Sequence, residues 1–280
     1  NKGEISMDRL EDAVRRILRV KIRAGLFDKG RPSEQPLAGR TEFIGHPAHR
    51  AIARKAVRQS LVLLKNDGVL PLSPRANILV TGDGADNIAM QSGGWSVTWQ
   101  GRDTKNSDFP GATSIYSGIK TTLEASGGAA TLSPDGGFTE KPDAAIVIFG
   151  ETPYAEFEGD LETEAGVDFE SEAGLNALRS LRDAGVPTVA VFLSGRPRWV
   201  TPEIDASNAF VAAGLPGSEG GGVADVLFTD ENGAIAHDFK GRLSFSWPKT
   251  PDQQPLNIGD RDYAPLYPFG FGLSYVDKTP

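Results

Sequence analysis

Four short apolar runs, each followed within two residues by a glycine, constrain this chain more than any other feature of its sequence. They are Ile78-Leu79-Val80 ahead of Gly82, residues 144–149 ahead of Gly150, residues 189–193 ahead of Gly195, and residues 209–213 ahead of Gly214. Unbroken apolar runs of this length read as strands buried on both faces, the pattern of a mainly parallel sheet. Between them, residues 113–125, 172–184 and 219–228 carry helical periodicity. Alternating strands and helices imply a layered α/β domain with right-handed crossovers. In such sheets ligands bind beyond the carboxyl ends of the strands. The loops after Val80, Phe149 and Leu193 are therefore the places to look for chemistry.

The N-terminal part reads differently. Residues 5–27 predict an amphipathic helix, with Leu10, Ala13, Val14, Ile17 and Leu18 at helical spacing and Asp8, Arg9, Arg15 and Arg16 between them. Residues 28–45 are Pro, Gly and polar residues without period, as in a linker. Residues 46–64 predict a second helix with a buried end at Leu61-Val62-Leu63-Leu64, followed by a turn at Lys65-Asn66-Asp67-Gly68. The chain opens on Asn1-Lys2-Gly3-Glu4 with neither an initiator Met nor a signal pattern, which reads as a fragment or a processed product whose export signal lay upstream.

Composition excludes several functions. The chain has no cysteine, so disulfides, thiolate metal sites and cysteine nucleophiles are ruled out. A net charge of −8 without a basic stripe argues against nucleic acid as a partner. No apolar run approaches the roughly 20 residues that span a bilayer. His46, His49 and His237 lack ligand spacing with one another, so no metal is expected. The serine-hydrolase elbow G-x-S-x-G is absent. Gly82-Asp83-Gly84-Ala85-Asp86-Asn87 partly matches a dinucleotide-binding loop, but Asn87 stands where the third glycine belongs and no helix is evident after it.

Two loops carry candidate chemistry. The stretch from Gly150 to Asp160, GETPYAEFEGD, sets four carboxylates within ten residues directly after a buried strand. Glu151 lies one residue past that strand's carboxyl end, where a side chain is held rigidly and faces a cleft. Enough desolvation there raises a carboxyl's pKa and suits it to general-acid work. The other stretch, Gly93-Gly94-Trp95-Ser96-Val97-Thr98-Trp99-Gln100-Gly101, places two glycines before Trp95, as expected of a turn presenting its ring outward. An exposed indole is a platform for the apolar face of a sugar.

Taken in order, the phrases Ser60-Leu61-Val62-Leu63-Leu64-Lys65-Asn66, Gly93 to Gly101, Gly150 to Tyr154 with Gly159-Asp160, and Leu193-Ser194-Gly195-Arg196-Pro197 resemble the C-terminal half of glycoside hydrolase family 3. So do Leu215-Pro216-Gly217-Ser218-Glu219-Gly220, Gly241-Arg242-Leu243 and Phe269-Gly270-Phe271-Gly272-Leu273-Ser274. The likeness is strongest to exo-β-glucanases and β-glucosidases, and residues 13–20 resemble the last helix region of the family's first domain.

The resemblance implies a three-layer α/β/α sandwich around a mostly parallel six-stranded sheet at 46–280, a linker at 28–45, and a terminal helix at 1–27 belonging to an absent (β/α) barrel. It implies a glucan or gluco-oligosaccharide substrate, a periplasmic or secreted setting, and retaining double displacement with no cofactor. The barrel would supply an Asp nucleophile, so none is assigned in this chain. The loop 150–160 would supply the acid/base, Glu151 by position, with Glu156 as the other candidate. Trp95 would match the indole of the leaving-group subsite, and Trp99 would be packing. Two other readings remain open from the residues: a non-catalytic carbohydrate-binding module gripping glucan through Trp95, and a nucleotide-binding domain using the Gly82 loop.

Overall fold

The computed structural model describes residues 3–161, 166–169 and 171–277; Asn1 and Lys2, at the opening of the chain, lie outside them. The chain divides into two compact units, Asn1–His46 and Pro47–Pro280. In the first, α1 (Met7–Arg23) is capped by Ser6, whose side chain accepts from the Arg9 N–H, satisfying one of the orphan donors of a helix start. The segment expected to be unstructured linker contains two single 3₁₀ turns, Pro32–Glu34 and Thr41–Phe43.

The second unit is a six-stranded sheet between two helical layers. In chain order it comprises α2 (Pro47–Ser60), β1 (Val62–Asn66), β2 (Asn77–Thr81), α3 (Ile88–Ser92), α4 (Ile115–Ser126), β3 (Ala129–Leu132), β4 (Ala144–Gly150), α5 (Ala173–Asp183), β5 (Thr188–Leu193), α6 (Thr201–Ala206), β6 (Ala209–Gly214) and α7 (Gly221–Leu227). The strand order is β1-β6-β5-β4-β2-β3. Of the strand pairs in this sheet, β1–β6 is antiparallel and the others are parallel.

Why these runs form strands follows from where alternate side chains go. Ile146, Ile148, Val189, Val191, Leu193 and Val211 enter one core, against Val57, Ile119, Leu123 and Val223 of the helices α2, α4 and α7. Val147, Phe149, Ala190, Phe192 and Phe210 enter the other, against Leu178, Leu181 and Ile204 of α5 and α6. With both faces apolar, period-two alternation vanishes and a continuous run remains. The second core is aromatic: Phe192 lies 5.5 Å from Phe149, 6.2 Å from Phe210 and 6.3 Å from Trp247, centroid to centroid.

The structure departs from the sequence expectations at three places. Residues 61–64 are not the end of a helix: α2 stops at Ser60, and Leu61 to Leu64 send alternate side chains into the two cores as β1 begins. Lys65 and Asn66 belong to that strand rather than to a turn. A short helix does open after the Gly82 loop, α3, with Asn87 as its N-cap accepting from the Met90 N–H.

Candidate active site

The topology makes a crevice before any side chain is considered. From β2 the chain moves outward to β3, then returns past β2 to β4 and proceeds the other way through β5 to β6. The loops leaving β2 and β4 thus diverge from neighbouring strands, the switch-point arrangement at which α/β sheets bind ligands. The resulting cleft, about 510 Å³, is lined by Asp83, Arg102, Glu151, Tyr154, Glu158, Arg196 and Arg198 among others.

Glu151 stands one residue beyond β4, its N–H donating to the Leu193 carbonyl at 2.9 Å. Its carboxylate, only 11% exposed, is surrounded by donors. Arg196 Nη2 and Nε approach Oε1 at 2.8 and 3.0 Å, and Ser194 Oγ donates to Oε2 at 2.5 Å. The Tyr154 hydroxyl donates to Oε2 at 3.3 Å, and Arg198 forms an ion pair at 3.5 Å. A carboxylate taken out of water is costly unless paired and hydrogen-bonded; here a guanidinium fork and hydroxyls supply both. Arg196 also lies 4.3 Å over the Tyr154 ring and bonds the Gly159 carbonyl, so it fastens the acidic loop at three points. Burial, reinforced by the charge of Glu151, pushes the Tyr154 phenol above its ordinary pKa.

Glu156, in the same loop, has the opposite surroundings. It is exposed, and its Oε2 accepts the Trp99 indole N–H at 2.8 Å. That bond is the main reason its carboxyl lies below the ordinary value. Trp99 is therefore not a packing residue: it is 48% exposed, with Phe157 edge-on at 6.1 Å. Trp95 is 69% exposed, and its ring lies 6.2 Å from that of Trp99 at 48°. Its backbone N–H donates to the Trp99 carbonyl at 2.8 Å, closing the turn.

The two loops are interlocked. Arg102 donates through Nε to the Pro153 carbonyl at 2.7 Å and pairs with Glu158 at 2.8 Å. The Gln100 side chain reaches the backbone of residues 155 and 156. A Cβ on Gly94 would lie 2.0 Å from the Tyr154 carbonyl oxygen, so only glycine permits this approach. Among the described residues, the non-glycine positive φ values fall at Trp95, Val97, Asp103 and Phe157, all in or beside these loops. Strain of this kind persists where surrounding contacts enforce it, and it clusters at functional sites.

The Gly82 loop packs directly on β4. A Cβ at Gly82 would lie 2.1 Å from the Ile148 carbonyl oxygen, so this glycine serves the close packing of its loop on β4. Asp83 lines the cleft, and burial pushes its carboxyl above the ordinary range. Among the described residues no group of His, Asp and Glu could hold a metal ion, and no helix is long and apolar enough to cross a membrane. Ser194, Arg196 and Gln100 stand in phrases evident in the sequence but carry no role there, and Arg102 and Arg198 have no signal of their own. The two arginines flanking Pro197 were the available signal, since paired guanidiniums after a central strand imply a buried anion.

Known proteins share this chain's sequence and fold. Residues 61–275 match the model of the glycosyl hydrolase family 3 C-terminal domain. The chain is 34% identical to a lysosomal beta glucosidase of Dictyostelium discoideum, over 98% of its own length and 35% of the relative's. It is 29% identical to a periplasmic beta-glucosidase of Salmonella typhimurium, over 99% and 42%. Among solved structures, an exo-1,3/1,4-beta-glucanase of a Pseudoalteromonas species superposes with a TM-score of 0.91 at 53% identity, over 99% of this chain and 35% of that one. A beta-glucosidase of Listeria innocua in complex with glucose gives 0.72 at 27%, over 98% and 40%. The chain thus spans about two-fifths or less of the length of these proteins.

Proposed function

The chain belongs to glycosyl hydrolase family 3, and from that premise we propose that it is the acid/base-bearing part of a retaining enzyme that releases terminal β-D-glucosyl units from β-glucans and gluco-oligosaccharides. A barrel domain supplies the nucleophilic Asp. The observation that carries this reading is the contrast within one loop. The Glu151 carboxyl is gripped by two arginines, whereas Glu156 is an exposed carboxyl beside two exposed indoles at the carboxyl end of the sheet.

On this geometry we assign the acid/base role to Glu156, the second candidate from sequence, and give Glu151 the role of anchor. A general acid must exchange its proton with the substrate; a carboxylate gripped by a guanidinium fork and a second arginine is poorly placed to do so. Glu156 protonates the departing glycosidic oxygen while the Asp attacks the anomeric carbon. It then takes a proton from the water that releases the glycosyl-enzyme. The Trp99 bond lowers the pKa of the exposed Glu156, so the facing Asp and the exclusion of water by a bound sugar must raise it. Trp95 provides the stacking face in the leaving-group subsite. Periplasmic and lysosomal relatives point to work outside the cytosol, in the periplasm or medium.

The test is a pair of variants in the full-length enzyme. Glu156→Gln should lower turnover of an unactivated glucoside by about 10²- to 10⁴-fold, spare glycosyl-enzyme formation from a dinitrophenyl glucoside, and be rescued by azide. If Glu151→Gln shows that pattern instead, the assignment reverts to Glu151. The exposed pair of indoles also suits a module that only grips glucan. Laminaribiose binding by this chain alone, abolished in Trp95→Ala and without turnover in the full-length enzyme, would favour that reading.

A further inference from the structure

We propose that Gln100 is a positioning residue for the acid/base, holding the backbone of residue 156 while Trp99 holds its carboxyl; the inference rests on the assignment of Glu156. Gln100 Oε1 accepts from the Ala155 N–H at 2.7 Å, and its Nε2 donates to the Glu156 carbonyl at 3.2 Å. The side-chain amide thus offers the loop the same acceptor and donor that a neighbouring strand would offer.

The loop needs such a partner. Internally, residues 155–160 are tied by the Glu158 N–H to Glu156 O, Gly159 N–H to Ala155 O and Asp160 N–H to Phe157 O bonds, all within the turn itself. Phe157, next to Glu156, has φ 71°. A non-glycine residue there is strained by of order 1–3 kcal/mol and relaxes unless its surroundings forbid it. The fastenings at Pro153 and Gly159 lie three residues to either side of Glu156. Gln100 alone of these side chains bonds the backbone at residues 155 and 156. Its own position is set by its neighbours: the Trp95 N–H bonds the Trp99 carbonyl, and the Gly101 N–H bonds the Thr98 carbonyl.

The residue type fits the task. A glutamine amide has both a donor and an acceptor at the end of a three-carbon reach. Glutamate at the same length keeps the acceptor and loses the donor; methionine keeps the length and loses both. Acid catalysis depends on the proton lying within hydrogen-bond reach of the leaving oxygen, and a displacement of about 1 Å can cost on the order of 100-fold.

The experiment uses Gln100→Met and Gln100→Glu in the full-length enzyme, with two substrates. Laminaribiose needs its leaving oxygen protonated; 2,4-dinitrophenyl β-glucoside does not. If Gln100 positions the acid, kcat/KM for laminaribiose falls by about tenfold or more in both variants, while that for the dinitrophenyl glucoside stays within about threefold. Equal loss on both substrates, or no loss on either, overturns the inference. If Gln100→Met does not fold, as judged by circular dichroism, Gln100→Glu decides alone, since it retains the Ala155 bond. Glu156→Gln run alongside separates the two claims. Should it show no dependence on leaving group, the acid/base assignment fails and takes this inference with it. Should it show the dependence while the Gln100 variants do not, only the role of Gln100 is lost.

Discussion

The indole N–H of Trp99 and the carboxylate of Glu156 are 57 residues apart in sequence and 2.8 Å apart in space. This bond joins the segment that follows α3 to the loop leaving β4. It couples the charge of the candidate acid to the aromatic ring beside it.

Trp99→Phe removes that donor and keeps the ring. The bond stabilises the ionised form, so its loss must raise the pKa of Glu156 toward the ordinary value. A carboxyl-carbon NMR titration of Glu156 in the two proteins checks this. The midpoint should move to higher pH in the variant. An unchanged midpoint would mean the indole does not hold the charge in solution.

Glu151 should behave as a structural ion. Glu151→Gln takes the anion from the guanidinium fork of Arg196 and removes one ion pair of Arg198, whose side chain is only 7% exposed. Breaking such a pair from one side costs about 3–5 kcal/mol, against about 0.5 kcal/mol or less for Glu156→Gln on the surface. Urea denaturation of both variants separates them. Equal stability would contradict the anchoring role.

These two glutamates show what the sequence could and could not reveal. Their location was legible, because a continuous apolar run ending in Gly150 implies a central strand and chemistry follows a central strand. Their roles were not. The residue that gives Glu151 its principal fork, Arg196, is 45 positions away, and nothing in the loop itself distinguishes a neutralised carboxylate from a free one. The same limit applies to secondary structure. β4, β5 and β6 were evident as apolar runs, whereas β1 follows α2 without a glycine or proline and merges into its apolar end. β3, a half-exposed edge strand of Ala, Thr and Leu, has neither an apolar run nor a helical period to betray it.

A second carboxyl makes stability depend on pH. Glu203, in the first turn of α6, is pushed up to about 7 by burial, with the charge of Asp168 adding and that of Arg179 opposing. Its ordinary value is 4.5. The folded state therefore retains a proton that the unfolded chain releases. This contribution is fully present below about pH 4.5, declines as pH rises towards 7, and is gone above it. Glu203→Gln, permanently neutral, should unfold at nearly the wild-type temperature at pH 4.5 and at a higher one at pH 8. Parallel melting curves at both pH values would count against a neutral buried Glu203.

The interlock of the two loops can be broken without touching a candidate catalytic group. Gly94 does not need a positive φ; what it needs is the absence of a Cβ, because that atom would meet the Tyr154 carbonyl oxygen at 2.0 Å and its carbon at 2.6 Å. Both obstacles are backbone, so no side-chain rotation relieves them and the loops must separate. Gly94→Ala should cost about 1–3 kcal/mol as overpacking and lengthen the Trp99–Glu156 bond, making Trp fluorescence more open to acrylamide quenching. Gly68→Ala is the control, since Gly68 has φ 90° and a Cβ added there would meet nothing within 4 Å. It carries only backbone strain, of order 1 kcal/mol, with quenching unchanged. Neither glycine lies in a strand or helix, so far-ultraviolet circular dichroism should match the parent in each variant. If Gly94→Ala quenched like the parent, the two loops would not be held together by this contact.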